Sequence, residues 1–319
     1  MRRHVIALCG GVGGAKLVFG LTRILAPEDL TVIVNTGDDF RHLGLHVSPD
    51  IDTVTYTLAG LSDRERGWGL AGETWGFMSA LRRLGGEDWF QLGDHDLAMH
   101  IERSRRLDAG ERLSTITEAL TARLGVRHRI IPMTDDPVGT VVVTDAGDLP
   151  FQRYFVAEQC RPTAVAIRYE GAAAATPSAP VQAALQRQDV AAVVICPSNP
   201  YLSIDPILAV PSLRDGLRGL GAPIVAVSPI VGGRALKGPA AKLMAELGGE
   251  PGVAEVAAHY EGLIDGLVID DTDAEQALAL QSQGLPTLAT GTIMESDSDR
   301  VRLAQECLGF AEQLSPIRR

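Results

Sequence analysis

The first residues whose types and spacing could do chemistry form the stretch CGGVGGAKL, from Cys9 to Leu17, which follows a short apolar run. Glycines let backbone N–H groups approach phosphate oxygens, and a helix that begins at such a loop presents its positive end to the same anion. Lys16 adds a point charge. The sequence therefore predicts a phosphate-binding loop made of Gly11, Val12, Gly13, Gly14 and Lys16.

This loop departs from two familiar phosphate motifs. A P-loop needs GxxxxGK followed by Ser or Thr, whereas Leu17 follows Lys16 here. The dinucleotide fingerprint GxGxxG has Lys16 at its third glycine, and Asn35 stands where an acidic ribose-binding residue would end the second strand. A tight turn without a ligand is the remaining alternative, and the acid-rich loops at neighbouring strand ends favour a nucleotide phosphate site over it.

A second group is the acidic stretch NTGDDFRHLGLHVSPDIDT, residues 35–53. Each aspartate alone is more often structural, and Ser48 or Asp50 could cap a helix that begins near Asp52. As a set the carboxylates have the hard oxygens that Mg²⁺ takes, and the stretch also offers a general base. The four members are Asp38, Asp39, Asp50 and Asp52.

Three further segments carry polar side chains. LGDHDLAMH contains Asp94 and Asp96 ahead of a helix, which Asp94 could cap. SNPYLSIDP contributes hydroxyl and amide groups from Ser198 and Asn199. SPIVGGRALKGPAAK pairs glycines with basic residues and is a second, weaker anion-binding loop, with Gly232, Gly233, Arg234 and Lys237.

The elements that must position these groups follow from the apolar pattern. Apolar runs without polar alternation are typical of parallel strands covered on both faces, and the predicted ones are His4–Cys9, Leu30–Asn35, Val190–Cys196, Pro223–Ser228, Gly266–Ile269 and Pro286–Ala289. Helical spacing predicts helices over Gly14–Leu25, Thr53–Leu61, Thr74–Leu84, Leu97–Arg106 and Leu113–Leu124. In an open parallel sheet ligands bind beyond the carboxyl ends of the strands, where GGVGGAK, NTGDD, PSNP, SPIVGG and DDTD all fall.

The predicted fold class is α/β, with a Rossmann-like parallel sheet, helices on both faces and a smaller antiparallel and helical insertion. Short β-rich runs between Arg129 and Arg168, starting with RIIPM, indicate that insertion. We predict a nucleotide-binding core from residues 1–125 and 186–319, and an insertion over residues 126–185 that contributes to the substrate cleft.

Composition limits the partners. Twenty-nine basic residues stand against 40 acidic ones, a net charge of −11, which argues against nucleic acid or an anionic membrane as partner. No apolar stretch reaches the length of a membrane span. The four cysteines are scattered without a zinc pattern, so we expect reduced thiols in a cytoplasmic protein.

Taken in order, the blocks GGVGGAKL, NTGDDF, SPDIDTVTYTLAG, RGWGLAGETW, WFQLGDHDLAMHI, PSNPYLSIDPIL and SPIVGGRALKGPAAKLM resemble the 2-phospho-L-lactate transferase family, whose actinobacterial members are FO transferases of coenzyme F-420 biosynthesis. The resemblance implies a phosphotransferase-type enzyme that requires Mg²⁺. Its donor is a three-carbon acid linked to guanosine diphosphate, and its acceptor is FO, a deazaflavin with a ribityl chain. The terminal ribityl hydroxyl attacks phosphorus and GMP leaves.

The same resemblance assigns roles. Asp50 lies at the FO site and is the candidate to orient or deprotonate the hydroxyl, and Thr53, Asp94 and Asp96 complete the FO site. Asp38, Asp39 and Asp52 hold Mg²⁺. The nucleotide and its phosphates contact the glycine loop together with Asn35, Ser198, Asn199, Gly232, Gly233 and Lys237.

Two alternatives stay open. A nucleotide-sugar-binding regulatory protein of the same superfamily would bind a nucleotide and catalyse nothing, although SPDIDT and LGDHDLA favour the transferase branch. The donor arm is either phospholactyl or phosphoenolpyruvyl. We expect a homodimer.

Overall fold

The computed structural model describes residues 3–314 and contains parallel, antiparallel and helical elements. The strands of this part of the chain are β1 (His4–Cys9), β2 (Leu30–Val34), β3 (Phe40–His42), β4 (Leu45–Val47), β5 (Arg129–Pro132), β6 (Gly139–Thr144), β7 (Gly147–Pro150), β8 (Ala164–Glu170), β9 (Val190–Ile195), β10 (Ile224–Val227), β11 (Ile230–Val231), β12 (Arg234–Ala235), β13 (Gly266–Ile269) and β14 (Thr287–Ala289). The α-helices are α1 (Gly11–Ile24), α2 (Pro49–Ala59), α3 (Gly76–Arg83), α4 (Asp96–Asp108), α5 (Leu113–Arg123), α6 (Ala179–Leu185), α7 (Asp205–Leu208), α8 (Leu213–Gly219), α9 (Ala240–Glu246), α10 (Val253–His259), α11 (Ala274–Ser282) and α12 (Asp297–Gln313).

Seven strands form one parallel sheet in the order β14-β13-β10-β9-β1-β2-β5. The chain runs outward from β1 through β2 to β5, and then outward on the other side from β9 to β14. The order therefore reverses between β1 and β9, which is the point where open α/β sheets bind ligands. The predicted α/β class with a parallel sheet is confirmed.

Alternation along the central strand gives the sheet two cores. Val5, Ala7 and Cys9 of β1 pack on one face, with α1 and α12. Ile6 and Leu8 pack on the other, with the helices between β9 and β13. Both faces of β1 are covered, and this explains why its sequence is apolar without alternation.

The antiparallel part is smaller than we predicted. RIIP, the run Arg129–Pro132, pairs in parallel with β2 and forms the edge of the main sheet, so its assignment to the insertion was wrong. Four residues with an exposed first member carry too little pattern to separate a parallel edge strand from an antiparallel one. The antiparallel sheet consists of β7-β6-β8 and lies within residues 139–170. The division into domains stays a prediction.

Two hairpins and one wide turn follow the strand ends. β3 and β4 pair directly after the loop that follows β2, and β11 and β12 form a hairpin after β10. Pro200–Ile204 form a π-turn after β9. Within residues 3–314, no helix is both long enough and apolar enough to cross a membrane.

Candidate active site at the sheet crossover

The carboxylate of Asp50 lies where the carboxyl ends of β1 and β2 meet the start of α2, and it is 6% exposed. Its Oδ1 accepts a hydrogen bond from the backbone N–H of Gly11 at 2.6 Å, and its Oδ2 accepts one from Asn35 Nδ2 at 2.9 Å. Gly11 is the first residue of α1, so this carboxylate lies at the positive end of that helix. Burial raises the pKa of Asp50 to about 6, although both hydrogen bonds act to lower it.

The four glycines of the loop are required for different structural reasons. A Cβ on Gly10 would come within 3.0 Å of Asp50, one on Gly13 within 3.0 Å of the Pro197 carbonyl, and one on Gly14 within 3.0 Å of Ser198. These three positions are closed by the packing of α1 against its neighbours. Gly11 differs, because its φ is +64° and a side chain there would meet no atom within 4 Å. The open space beside the loop therefore lies next to the Cα of Gly11, in the direction a side chain there would take.

The segment after β9 is fastened to this loop. Ser198 Oγ accepts from the N–H of Gly10 at 3.2 Å and donates to its carbonyl at 2.8 Å. Asn199 Oδ1 accepts from the N–H groups of Tyr201 and Leu202 and so caps the π-turn. Within the described residues the buried Asn199 Nδ2 has no partner. Ser198 thus fixes the backbone of the loop at Gly10. Val12 of the same loop is half-buried in the first turn of α1.

Asp38 and Asp39 lie beside Asp50. Asp38 Oδ1 is 3.4 Å from Asn35 Nδ2, and its Oδ2 is 3.4 Å from Gln152 Nε2. Burial raises the pKa of Asp38 well above its usual range, and Asp50 raises it further. Asp39 Oδ2 accepts from Ser48 at 2.7 Å, while its Oδ1 is buried without a partner in residues 3–314. Buried carboxylate oxygens with one orphaned atom fit a hard divalent cation.

Asp52, also predicted to hold Mg²⁺, has other partners. Both of its oxygens engage the guanidinium of Arg103, which is 2% exposed, with Nη1 at 3.0 Å. His100 bridges Asp52 and Asp96, with ring nitrogens 3.7 and 3.4 Å from their Oδ2 atoms. Ligand atoms of Asp52, Asp96 and His100 lie within 4.8 Å of one another, but Arg103 already supplies the positive charge.

Asp94 and Asp96, which were predicted at the FO site, are hydrogen-bonded to protein groups. Asp96 accepts from the Tyr56 hydroxyl. Asp94 accepts from the N–H groups of Gly76 and Phe77 at 2.9 and 3.0 Å, so it caps α3 rather than α4. A hydrogen bond from the Thr74 hydroxyl lowers the pKa of Asp94, and the two backbone bonds lower it further. Thr53 is half-buried on α2.

Lys16 of the first predicted anion loop feels the charge of Lys237 from the second. The Lys16 amine donates to the Met294 carbonyl at 2.7 Å. Burial lowers the pKa of Lys16, and the nearby charges of Arg300 and Lys237 lower it further. Gly232 and Gly233 both have positive φ and form the tip of the β11–β12 hairpin. The Gly232 N–H donates to Asp273 and is therefore already occupied. Lys237, which follows the hairpin, lowers the pKa of Lys16 through its charge.

Arg103, His100 and Gln152 were not predicted as site residues. Leu97, His100, Arg103 and Leu107 recur at intervals of three or four residues, which places Arg103 on the inner face of α4. That spacing was the available signal, although the neighbouring Arg105 and Arg106 give the same segment a charged character.

A sequence model of the family described as 2-phospho-L-lactate transferase CofD matches residues 5–306. A phosphoenolpyruvate transferase from Kitasatospora aureofaciens is 41% identical over 318 residues, covering 98% of each chain. A 2-phospho-L-lactate transferase from Methanopyrus kandleri is 40% identical over 318 residues, covering 98% of this chain and 99% of that protein.

Solved structures show the same fold at lower identity. The crystal structure of a member of the UPF0052 family from Bacillus halodurans matches with a TM-score of 0.63 at 14% identity, covering 97% of this chain and 99% of that one. At this identity the likeness concerns the fold alone.

Proposed function

The chain belongs to the 2-phospho-L-lactate transferase CofD family, and from this premise we propose a specific transfer reaction. A phospholactyl or phosphoenolpyruvyl group passes from a guanosine-diphosphate-activated donor to the ribityl hydroxyl of FO, and GMP is released. The reaction belongs to coenzyme F-420 biosynthesis. Family membership supports the transferase class, and the site geometry supports the roles of individual residues.

The observation that carries the proposal is the contact between Asp50 and Gly11. It joins a buried carboxylate whose pKa is about 6 to the first N–H of the glycine-loop helix. A general base works best when its pKa lies near the operating pH. The candidate base and the candidate phosphate loop therefore meet at the N-terminus of α1. This proximity favours attack of a hydroxyl on a phosphate bound there.

The step balances without a further reactant. The hydroxyl oxygen forms a bond to the phosphorus that carries the three-carbon acid, and the bond from that phosphorus to the GMP oxygen breaks. Asp50 accepts the hydroxyl proton. Lys16 lies on α1 and the charge of Lys237 acts on it, so this part of the site favours the negative charge of the leaving phosphate.

Asp38 and Asp39 are the residues that would hold Mg²⁺, since their carboxylates are buried beside Asp50 and one oxygen is orphaned. When bound, the ion neutralises phosphate charge. Asp52 is a weaker candidate ligand, because Arg103 engages both of its oxygens.

Similarity leaves the donor arm open, because relatives named for either donor are 41% and 40% identical to this chain. Incubation with FO and each guanosine-diphosphate-linked acid, followed by mass determination of the product, decides between them. We expect one phosphodiester product and stoichiometric GMP. Binding of the nucleotide without any turnover would contradict the proposal and favour the regulatory alternative.

The matched variants are Asp50→Asn and Asp148→Asn. The first removes the buried carboxylate charge and should lower kcat by about a hundredfold or more, with GDP affinity near wild type. The second makes the same change at an exposed ion pair on β7 and should leave kcat unchanged. Full activity in Asp50→Asn would remove that residue from the mechanism.

A further inference from the structure

The π-turn after β9 contains two buried carbonyls that Pro206 leaves without their backbone donors. In a π-turn the N–H of residue i+5 donates to the carbonyl of residue i, as Asp205 does to Pro200. The next donor would be residue 206, which is proline and has no N–H for Tyr201. An α-helical bond from residue 206 to Leu202 is lost for the same reason.

Two side chains replace the missing donors. The Tyr169 hydroxyl donates to the Tyr201 carbonyl at 2.7 Å, and Asn35 Nδ2 donates to the Leu202 carbonyl at 3.1 Å. Buried carbonyls of this kind need a partner, so both side chains stabilise the turn. Tyr169 comes from β8 of the antiparallel sheet, whereas Asn35 follows β2 of the main sheet.

Asp205 and His259 in turn hold the Tyr169 hydroxyl in place. Its hydroxyl lies 3.3 Å from Asp205 Oδ2, and the other oxygen of Asp205 is 2.9 Å from His259 Nε2 on α10. Burial and the neighbouring Asp205 raise the pKa of Tyr169, so the hydroxyl stays protonated and keeps its role as a donor. The turn is therefore fixed by elements from three parts of the chain.

The other end of this network is Asp50. Asn35 Oδ1 accepts from the Gly37 N–H at 2.7 Å, and this fixes which end of the amide carries the donors. Nδ2 then donates to Asp50 Oδ2 and to the Leu202 carbonyl, so the position of the turn determines the position of the amide beside Asp50.

We propose that Tyr169 is a positioning residue for Asp50: its hydroxyl fixes the π-turn, the turn fixes the Asn35 amide, and the amide orients the carboxylate. The kinetic part of this inference rests on the proposed function. It gives the antiparallel sheet a part in the site that needs no substrate contact.

Tyr169→Phe removes the hydroxyl and keeps the ring. Tyr260→Phe is the matched control, because the Tyr260 hydroxyl lies in the same cluster and, within residues 3–314, is buried without a hydrogen-bond partner. The chain contains only two asparagines, Asn35 and Asn199, so ¹⁵N-asparagine labelling shows the side-chain NH₂ groups of these two residues alone. The signals that disappear in Asn199→Asp belong to Asn199, and those that remain belong to Asn35. We expect Tyr169→Phe to shift the Asn35 amide signal and speed its hydrogen exchange, and Tyr260→Phe to leave both unchanged.

The kinetic arm separates positioning from stability. Tyr169→Phe should lower kcat about tenfold and keep the KM of both substrates within about twofold, since misplacement of a reacting group acts on the chemical step. If Tyr169→Phe does not fold, His259→Leu tests the same proposal, because it removes the side chain that holds Asp205 behind Tyr169. His259→Leu should then lower kcat, and His259→Gln, which keeps an N–H donor, should restore it. An unmoved Asn35 signal, or a shifted signal with unchanged kcat, would overturn the inference. If the wild type shows no transfer, the proposed function fails, and the amide signals alone decide the inference.

Discussion

Asp50 Oδ1 and the backbone nitrogen of Gly11 are 2.6 Å apart, so a side chain of α2 occupies the N-terminus of α1. The glycine loop was predicted to offer this terminus to a phosphate. The first N–H is already taken, so under the proposed function the donor's phosphates would have the open space beside Gly11 and the later N–H groups. If a phosphate binds there, its proximity to the carboxylate would make the protonation of Asp50 a determinant of activity.

The first prediction concerns pH. Because burial raises the pKa of Asp50 to about 6, kcat/KM should rise between pH 5 and 7 with a midpoint of about 6. The folded pKa lies above the unfolded value of about 3.9, so the stability contributed by the protonated group is present below pH of about 4 and lost as the pH rises through about 6. The measurement is kcat/KM against pH for the wild type and Asp50→Asn. The same acidic limb in the residual activity of the variant would contradict the assignment.

The sequence predicted the parts of this site that depend on local pattern. The strand and the helix that follows it were recognised, but the helix begins at Gly11, three residues before the predicted start at Gly14, so the glycines form its first turn. Asp38 and Asp39 were placed correctly after β2, because apolar runs and turn residues act over a few positions. The bounds of β1 and β13 match the prediction residue for residue.

Partner choice could not be predicted, because it depends on contacts between distant segments. Four aspartates within fifteen residues look equivalent in the sequence, yet Asp52 pairs with Arg103, Asp50 with Gly11, and Asp39 with Ser48. Likewise Gly13 is closed by Pro197, 184 positions later in the chain, so its need for glycine is one of packing. Only the fold separates residues of one type into different roles.

The second prediction separates the two kinds of aspartate. Asp39→Asn should raise the Mg²⁺ concentration needed for half-maximal activity by about tenfold or more, because it removes a charge at the predicted ion site. Asp52→Asn should leave that concentration unchanged and lower stability instead, since Asp52 serves Arg103. Titration of Mg²⁺ into chelator-treated protein measures both. Wild-type activity that survives exhaustive chelation would refute the metal site.

The third prediction concerns the buried ion pair itself. Arg103→Met leaves Asp52 buried without its cation and should lower the free energy of unfolding by about 3–5 kcal/mol. The double variant Arg103→Met/Asp52→Leu should recover most of that loss, because no unpaired charge remains. Arg105→Met is the control on the same helix; its exposed pair with Glu102 should matter by less than about 1 kcal/mol. Urea unfolding curves give all four values, and equal losses at Arg103 and Arg105 would contradict the argument.

The last prediction concerns what the glycine loop binds. Gly11→Asn keeps a residue that tolerates positive φ and projects a side chain into the open space above the loop. If the donor's diphosphate lies there, the GDP dissociation constant should rise at least about tenfold while Tm stays near wild type. Gly284→Asn makes the same change at another open position with positive φ, after α11, and should leave GDP binding intact.

Two further variants of the glycine loop should behave differently. Gly13→Ala should destabilise the fold, because its Cβ meets the Pro197 carbonyl. Lys16→Ala should weaken GDP binding less than Gly11→Asn, since it removes one charge and keeps the backbone N–H groups. Calorimetric titration of GDP, with thermal unfolding alongside, measures each variant. Wild-type affinity in a folded Gly11→Asn would mean that the phosphates lie elsewhere, with the Lys237 loop the next place to test.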